Sequence, residues 1–191
     1  MKPYTVIKNV LEPQCLKLVE TALRLQSDLR YLRTGADPND TSAFADGHPI
    51  TAHASGMASP LVTESLFAIL TPIVREEVGF DITPTFSYSR VYFKGAEMVR
   101  HTDRPSCEIS ASLCVSIDQE PWSIFFAGEE LVLYPGDMVV YKGCEVPHWR
   151  EEYQGREQIQ VFIHWVKTGG DLDMWAFDGR PMLGWGTWNS F

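Results

Sequence analysis

The chain changes period at Ile82. Before it, apolar positions recur at helical spacing; after it they alternate. In Thr85–Phe93 (TFSYSRVYF), Phe86, Tyr88, Arg90 and Tyr92 fall on one side, because residues two apart on a strand share a face. In residues 108–118, Ile109, Ala111, Leu113, Val115 and Ile117 alternate with Glu108, Ser110, Ser112, Cys114 and Ser116. That polar face either lines a ligand cavity inside a barrel or faces water from one side of a sheet. Residues 131–134 and 138–142 read as two apolar strands joined by the turn Pro135-Gly136-Asp137. In REQIQVFIHW, Arg156, Gln158, Gln160, Phe162 and His164 share one side, and Glu157, Ile159, Val161, Ile163 and Trp165 the other. A largely polar face on a strand ending in Ile, Phe and Trp predicts a lined pocket, with His164 a hydrogen-bonded core histidine.

Residues 3–8 read as a short edge strand. Pro13 opens a helix carried by Leu16, Val19 and Leu23 to about Arg30, which packs on the outside of a sheet. Residues 33–58 are rich in Gly, Pro, Asp, Asn, Ser and Thr and read as a long loop, with His48 and His53 exposed in it. Ser59-Pro60 starts a second helix through Leu61, Leu66, Ile69 and Leu70. Thr71-Pro72 kinks or restarts it, and Gly79 ends it. After Val166 a Gly- and Trp-rich tail carries Trp175, Trp185 and Trp188. Aromatics at that density pack on the domain, cover a site, or meet a second subunit, which makes the tail the candidate homodimer contact. The whole predicts a mainly β protein with flanking helices (α+β) in a single domain, 1–191. Within it, 1–81 is helical support, 82–166 the core and 167–191 the tail.

Composition narrows the functional classes. The net charge of −9 over 191 residues argues against nucleic acid as a partner, since phosphate contacts need a basic surface. No apolar run approaches the ~20 residues that span a membrane, and MKPYTVIKNVLEP is too polar for a signal peptide. Cys15, Cys107, Cys114 and Cys144 form no C-x-x-C pair, so no zinc knuckle or disulfide framework is indicated. The expected location is cytoplasmic, with reduced thiols.

The candidate chemistry lies in His101-Thr102-Asp103. Extended, the triplet aims an imidazole and a carboxylate at one point with Thr102 turned away. His148 follows, beyond the Pro-Gly-Asp turn, in CEVPHW. Two His and one carboxylate on one face of a metal, with other positions open, is the donor set of non-haem Fe(II) oxygenases. Zinc also accepts His₂Asp, so a hydrolytic zinc site is the chemical rival. The discriminator is a cation reaching into the pocket, where Arg can pair a ligand carboxylate bidentately.

Together, Tyr92 before a Gly turn, the H-x-D triplet, Pro135-Gly136-Asp137, His148 and a basic residue opening the next strand are landmarks over Ser87–Val166. This segment resembles the Fe(II)/2-oxoglutarate-dependent dioxygenases, in the prolyl-hydroxylase-like branch. The resemblance implies a double-stranded β-helix (jelly-roll, cupin-like) core, an Fe(II) centre at His101, Asp103 and His148, and 2-oxoglutarate and O2 as co-substrates. It implies that Arg156 holds the distal carboxylate of 2-oxoglutarate, with Gln160 further along the same face and Tyr92 nearby. Arg150, two residues after His148, competes for that role. The implied reaction couples oxidative decarboxylation of 2-oxoglutarate, giving succinate and CO2, to hydroxylation of a C–H bond.

For the substrate the reading favours a small carboxylate or amino acid, with Arg104 or Arg150 neutralising its carboxylate. A peptidyl, prolyl-type substrate is the alternative. A non-catalytic cupin-like module that holds a metal or ligand is a second alternative; it would not need Arg156 or Tyr92 to converge on the metal residues.

Overall fold

The computed structural model describes residues 2–34, 51–118 and 120–185. In chain order the elements are β1 (Tyr4–Ile7), α1 (Pro13–Thr34), β2 (Thr51–Ala58), α2 (Leu61–Glu64), α3 (Phe67–Val78) and β3 (Ile82–His101). There follow β4 (Ile109–Ile117), β5 (Ile124–Phe126), β6 (Glu129–Leu131), β7 (Met138–Tyr141), β8 (His148–Arg150) and β9 (Glu157–Lys167). Single 3₁₀ segments cover Pro105–Cys107 and Asp173–Gly179.

β3 organises the rest. Its first half pairs antiparallel with β9, placing Tyr88 opposite Phe162, Arg90 opposite Gln160 and Tyr92 opposite Gln158. From β9 the ladder continues through β4 and β7 to β1. The second half of β3, past Gly95 (φ 86°), leaves this layer and pairs with β8, placing Met98 opposite Arg150 and His101 opposite His148. β5 and β6 complete that side. The strand order β1-β7-β4-β9-β3-β8-β5-β6 is that of a double-stranded β-helix, two antiparallel layers facing each other.

One face of the larger layer packs on the helices. Ile109, Ala111, Leu113 and Val115 of β4 and Ile159, Val161, Ile163 and Trp165 of β9 form a single cluster with Val19 and Leu23 of α1 and Leu70 and Val74 of α3. Each fully buried Leu or Val contributes roughly 1.5–3 kcal/mol. The opposite face looks into the barrel: Ser110, Ser112 and Cys114 are fully buried, so the small polar face of β4 lines the interior instead of meeting water.

Four boundaries depart from the sequence reading. α1 runs to Thr34, past Arg30, and residues 51–58 are strand β2 instead of loop, paired with β3 from Thr51↔Met98 to Ala58↔Tyr88. His53 sits in that strand at a register shift with φ 52°. Cross-strand hydrogen bonds to β3 override the weak strand propensity of Ala, Ser and Gly here. His48 lies outside the described residues. The second helix breaks at Ser65-Leu66, where 3₁₀-type bonds (Leu66 N–H to Thr63 O, Ala68 N–H to Ser65 O) tighten the chain, and Pro72 is accommodated inside α3. Gly79 ends α3 in the left-handed region, as expected. Of residues 131–134 only Leu131 is strand, the ladder of β6 ending there.

The tail folds back on its own barrel. Arg180 donates to both carboxylate oxygens of Glu64 (2.9 and 3.2 Å) and to the Thr85 carbonyl (2.9 Å). These contacts bring residues 173–185 over the barrel mouth and do not support the expected homodimer contact; Trp188 lies outside the described residues. Among the described residues, no helix is long and apolar enough to cross a membrane.

Candidate metal centre

His101 ends β3 and His148 begins β8, and the two are register partners. Asp103, just past the strand, is held by its own N–H, which donates to the Gly143 carbonyl (2.8 Å). Oδ1 of Asp103 lies 3.6 Å from Nε2 of both His101 and His148. The far oxygen, Oδ2, accepts a hydrogen bond from the Ser110 hydroxyl (3.0 Å). Nδ1 of His101 faces the Val99 carbonyl (2.9 Å) and Nδ1 of His148 the Val146 carbonyl (3.0 Å). A carbonyl only accepts, so each Nδ1 carries the proton and each Nε2 presents a lone pair to the common point. Sequence spacing placed these three side chains together, and the structure does so.

Electrostatics suits a cation there. Burial works to raise the Asp103 carboxyl, but the neighbouring His101, His148 and His164 and the Ser110 hydroxyl outweigh it and hold the carboxyl below its ordinary value. Burial lowers His148. Burial opposes protonation of His101 as well, yet the Asp103 carboxylate and the Val99 carbonyl hold it above its usual value. A half-buried carboxylate between two imidazoles with free lone pairs is a donor set for a divalent ion.

Asp103, Cys107 and His164 are also close enough to share an ion. The Ser110 hydroxyl already joins them, reaching Asp103 Oδ2 (3.0 Å), the Cys107 carbonyl (3.1 Å) and His164 Nδ1 (2.9 Å). That second group is a hydrogen-bonded network.

The triad opens onto a cavity of about 600 Å³, walled by aromatic side chains of β3 and β9 and by the tail. Phe86, Tyr88, Arg90 and Tyr92 all line it, as their shared strand face predicts. Arg156 does not. It lies just before β9, on the surface, with its guanidinium bidentate on Asp118 (2.6 and 2.6 Å). The strand parity that turns Gln158 and Gln160 inward has not begun at Arg156, so the expected carboxylate seat is corrected.

Arg150 takes the interior position. It follows His148 by two residues on β8, is 2% exposed, and stacks its guanidinium 4.7 Å over Trp122. Nη1 donates to the Trp122 carbonyl, whereas Nε and Nη2 have no hydrogen-bond partner. Tyr92 Oη and Gln160 Nε2 are likewise buried without partners. Tyr92 and Cys114 both act electrostatically on Arg150, and Cys114 in turn contacts Gln160, so these groups form one neighbourhood. Burial presses the Arg150 guanidinium toward its neutral form, which an anion would relieve.

Arg104 lines the cavity mouth, but Nη1 and Nη2 are each 2.9 Å from an oxygen of Asp178, and the guanidinium lies over the Phe86 ring. The substrate carboxylate expected there has lost its donor to an internal ion pair. Sequence reasoning missed Asp178, Arg180 and Glu64. The available signals were a Glu on a short apolar helix and an Asp and an Arg in an aromatic tail.

No protein-family model matches the chain, and no curated protein does. Solved structures do. A prolyl-4-hydroxylase from Pseudomonas putida superposes over 86% of this chain and 92% of its own, at 16% identity and a TM-score of 0.62. HygX from Streptomyces hygroscopicus, solved with nickel and 2-oxoglutarate bound, covers 87% and 83% at 13% identity and a TM-score of 0.61. The alpha-ketoglutarate-dependent epimerase SnoN of nogalamycin biosynthesis covers 87% and 77% at 10% identity and a TM-score of 0.65. What is shared is the fold. At these identities the double-stranded β-helix is common ground between this chain and those proteins.

Proposed function

We propose that the protein is an Fe(II)- and 2-oxoglutarate-dependent oxygenase that hydroxylates a C–H bond of a small molecule. The observation that carries this reading is the pairing of two features. His101, Asp103 and His148 converge with free Nε2 lone pairs, and Arg150, Tyr92 and Gln160 hold buried donors without partners. Such donors are uncommon and ask for an acceptor. His148 and Arg150 lie on one face of β8, two residues and so ~6.6 Å apart along the strand. That suits a five-carbon keto dicarboxylate bound at both ends. Arg150, assisted by Tyr92 Oη and Gln160 Nε2, would hold its distal carboxylate, in place of Arg156.

His101, Asp103 and His148 would hold the iron, which when bound supplies the redox chemistry with O2. Ser110 fixes the orientation of Asp103, and the two backbone carbonyls fix both imidazoles. Asp103 is a carboxylate, so no ligand position is given up for halide, and hydroxylation is the favoured outcome. The HygX structure, solved with nickel and 2-oxoglutarate bound on the same fold, supports the ligand pair. A small substrate is favoured over a peptide because Asp178, Arg180 and Trp185 of the tail wall the mouth.

The test is succinate formation by the Fe(II)-loaded protein with 2-oxoglutarate, followed by mass spectrometry with separate pools of small molecules and proline-containing peptides. Succinate that rises with the small-molecule pool and disappears in Asp103→Ala supports the reading. Stimulation only by peptides would replace the substrate class. Iron binding without any 2-oxoglutarate consumption would favour a binding module.

A further inference from the structure

His164 is left over from the metal centre and the proposed carboxylate seat, yet it lines the same cavity. It stacks on Phe86 at 4.5 Å, opposite Ser110 in the β4–β9 ladder. The Ser110 hydroxyl has one proton and, besides the Tyr141 hydroxyl, three neighbours: Asp103 Oδ2, the Cys107 carbonyl and His164 Nδ1. Carboxylate and carbonyl oxygens can only accept here, so the Ser110 proton goes to them. His164 Nδ1 must then be the donor to Ser110 Oγ. The alternative sets a serine lone pair against two acceptor oxygens at about 3 Å. Nε2 of His164 therefore keeps its lone pair. It has no hydrogen-bond partner among the described residues, yet it is absent from the fully buried unsatisfied atoms, so it is accessible where His164 meets the cavity.

Two of the charged groups that line the cavity are already paired. Arg104 is bidentate on Asp178, and Arg180 on Glu64. The walls beside His164 are the rings of Phe86, Phe162 and Trp185. A cavity of 600 Å³ lies within the range, roughly 300–1,000 Å³, that holds drug-sized ligands.

From this geometry we infer that His164 is a substrate-positioning residue: Nε2 accepts a hydrogen bond from a hydroxyl on an uncharged, ring-bearing substrate seated against the aromatic wall. The proton relay Ser110–His164 makes this position an obligate acceptor, so the site discriminates for a free hydroxyl against its ether. An anionic substrate finds no unpaired cation at Arg104 or Arg180. The inference builds on the oxygenase reading for its purpose, but the binding it predicts needs neither metal nor 2-oxoglutarate.

The test uses two matched probes, phenol and anisole, binding to the full chain without added metal or 2-oxoglutarate. Dissociation constants come from ligand-observed NMR. Phenol should bind about three- to tenfold more tightly than anisole, the span of one hydrogen bond. His164→Phe keeps a ring on Phe86 and should bring phenol and anisole to parity. In wild-type protein labelled with ¹⁵N-histidine, His164 Nε2 should give the signal of an unprotonated nitrogen, and that signal should move with phenol and not with anisole. Equal affinity for phenol and anisole, persistence of the difference in His164→Phe, or a protonated Nε2 would each overturn the proposal. The NMR signature needs no variant, so it decides even if His164→Phe does not fold. Failure here leaves the succinate assay to judge the oxygenase reading separately.

Discussion

Gly143 sits against Asp103 with no room for a side chain: a Cβ there would lie 2.6 Å from Asp103 Oδ2 and closer still to the Cys107 carbonyl oxygen and Ser110 Oγ. The Gly143 carbonyl also accepts the Asp103 N–H. One backbone position thus sets both the height and the rotation of the central carboxylate. Gly143→Ala should shift Asp103 or the loop beneath it and weaken divalent-metal affinity at least tenfold. Overpacking of this kind typically costs about 1–3 kcal/mol of stability. Isothermal titration with Fe(II) or Mn(II), alongside a urea melt, checks both. Unchanged affinity would mean the loop yields without moving Asp103.

Arg150 and Arg156 make opposite predictions. Arg150→Met keeps much of the buried volume and removes the charge, and it should raise the apparent constant for 2-oxoglutarate by an order of magnitude or more, since truncating one partner of a buried charge pair costs about 2–5 kcal/mol. Arg156→Ala breaks an exposed pair with Asp118 and should leave that constant within about twofold. Steady-state 2-oxoglutarate consumption by both variants is the measurement. The reverse ranking would return the carboxylate seat to Arg156.

The tail is fastened through Glu64, whose side chain is 1% exposed and receives Arg180 and the Gly184 N–H. Arg180→Ala strands that carboxylate and should destabilise the fold by about 3–5 kcal/mol. Hydrogen exchange over residues 173–185 should accelerate more than over β4 or β9. Uniform acceleration would show that the tail is no independent unit.

Acid should destabilise the metal-free protein through His164. Burial, helped by Arg104 and His148, pushes this imidazole down to about 4 against the opposing pull of Asp103 and Asp178. A histidine whose folded value lies below its unfolded value takes up protons on unfolding. Its contribution is present above about 6.5 and is lost as the pH falls toward 4, worth ~3 kcal/mol at 1.36 kcal/mol per pH unit. His148, also lowered, adds in the same direction, and His101, raised, opposes it. Urea melts at pH 7 and 4.5 should show a smaller acid loss in His164→Phe than in wild type. An equal loss would place the acid sensitivity elsewhere.

His101, Asp103 and His148 were legible as a candidate set because the first two stand two residues apart where β3 ends and the third follows a turn and a short apolar strand. Period-two alternation likewise grouped the cavity-facing residues of β3 and β9, down to Phe162 and His164, whereas for β4 it left open whether the polar face met a cavity or water. β2 was hidden, since His53-Ala54-Ser55-Gly56 carries no strand signature and pairs only because β3 offers it an edge. Arg156 misled because parity holds only inside a strand, and nothing in GREQ marks where β9 begins. The pairings Arg104–Asp178 and Glu64–Arg180 join residues 74 and 116 apart in sequence. No periodicity reports a contact at that separation.

β3 is a single strand of 20 residues serving both layers. Tyr92 lies in the part paired with β9, and His101 in the part paired with β8. Its length is therefore a fixed ruler. Inserting or deleting one residue between Phe93 and Met98 would turn every later side chain to the opposite face, sending His101 outward while Tyr92 stayed in place. Substitutions along this stretch can be absorbed one at a time, but changes in residue number cannot. Diversification of this chain should accumulate in the tail and the segment before β2, and β3 should keep its residue count.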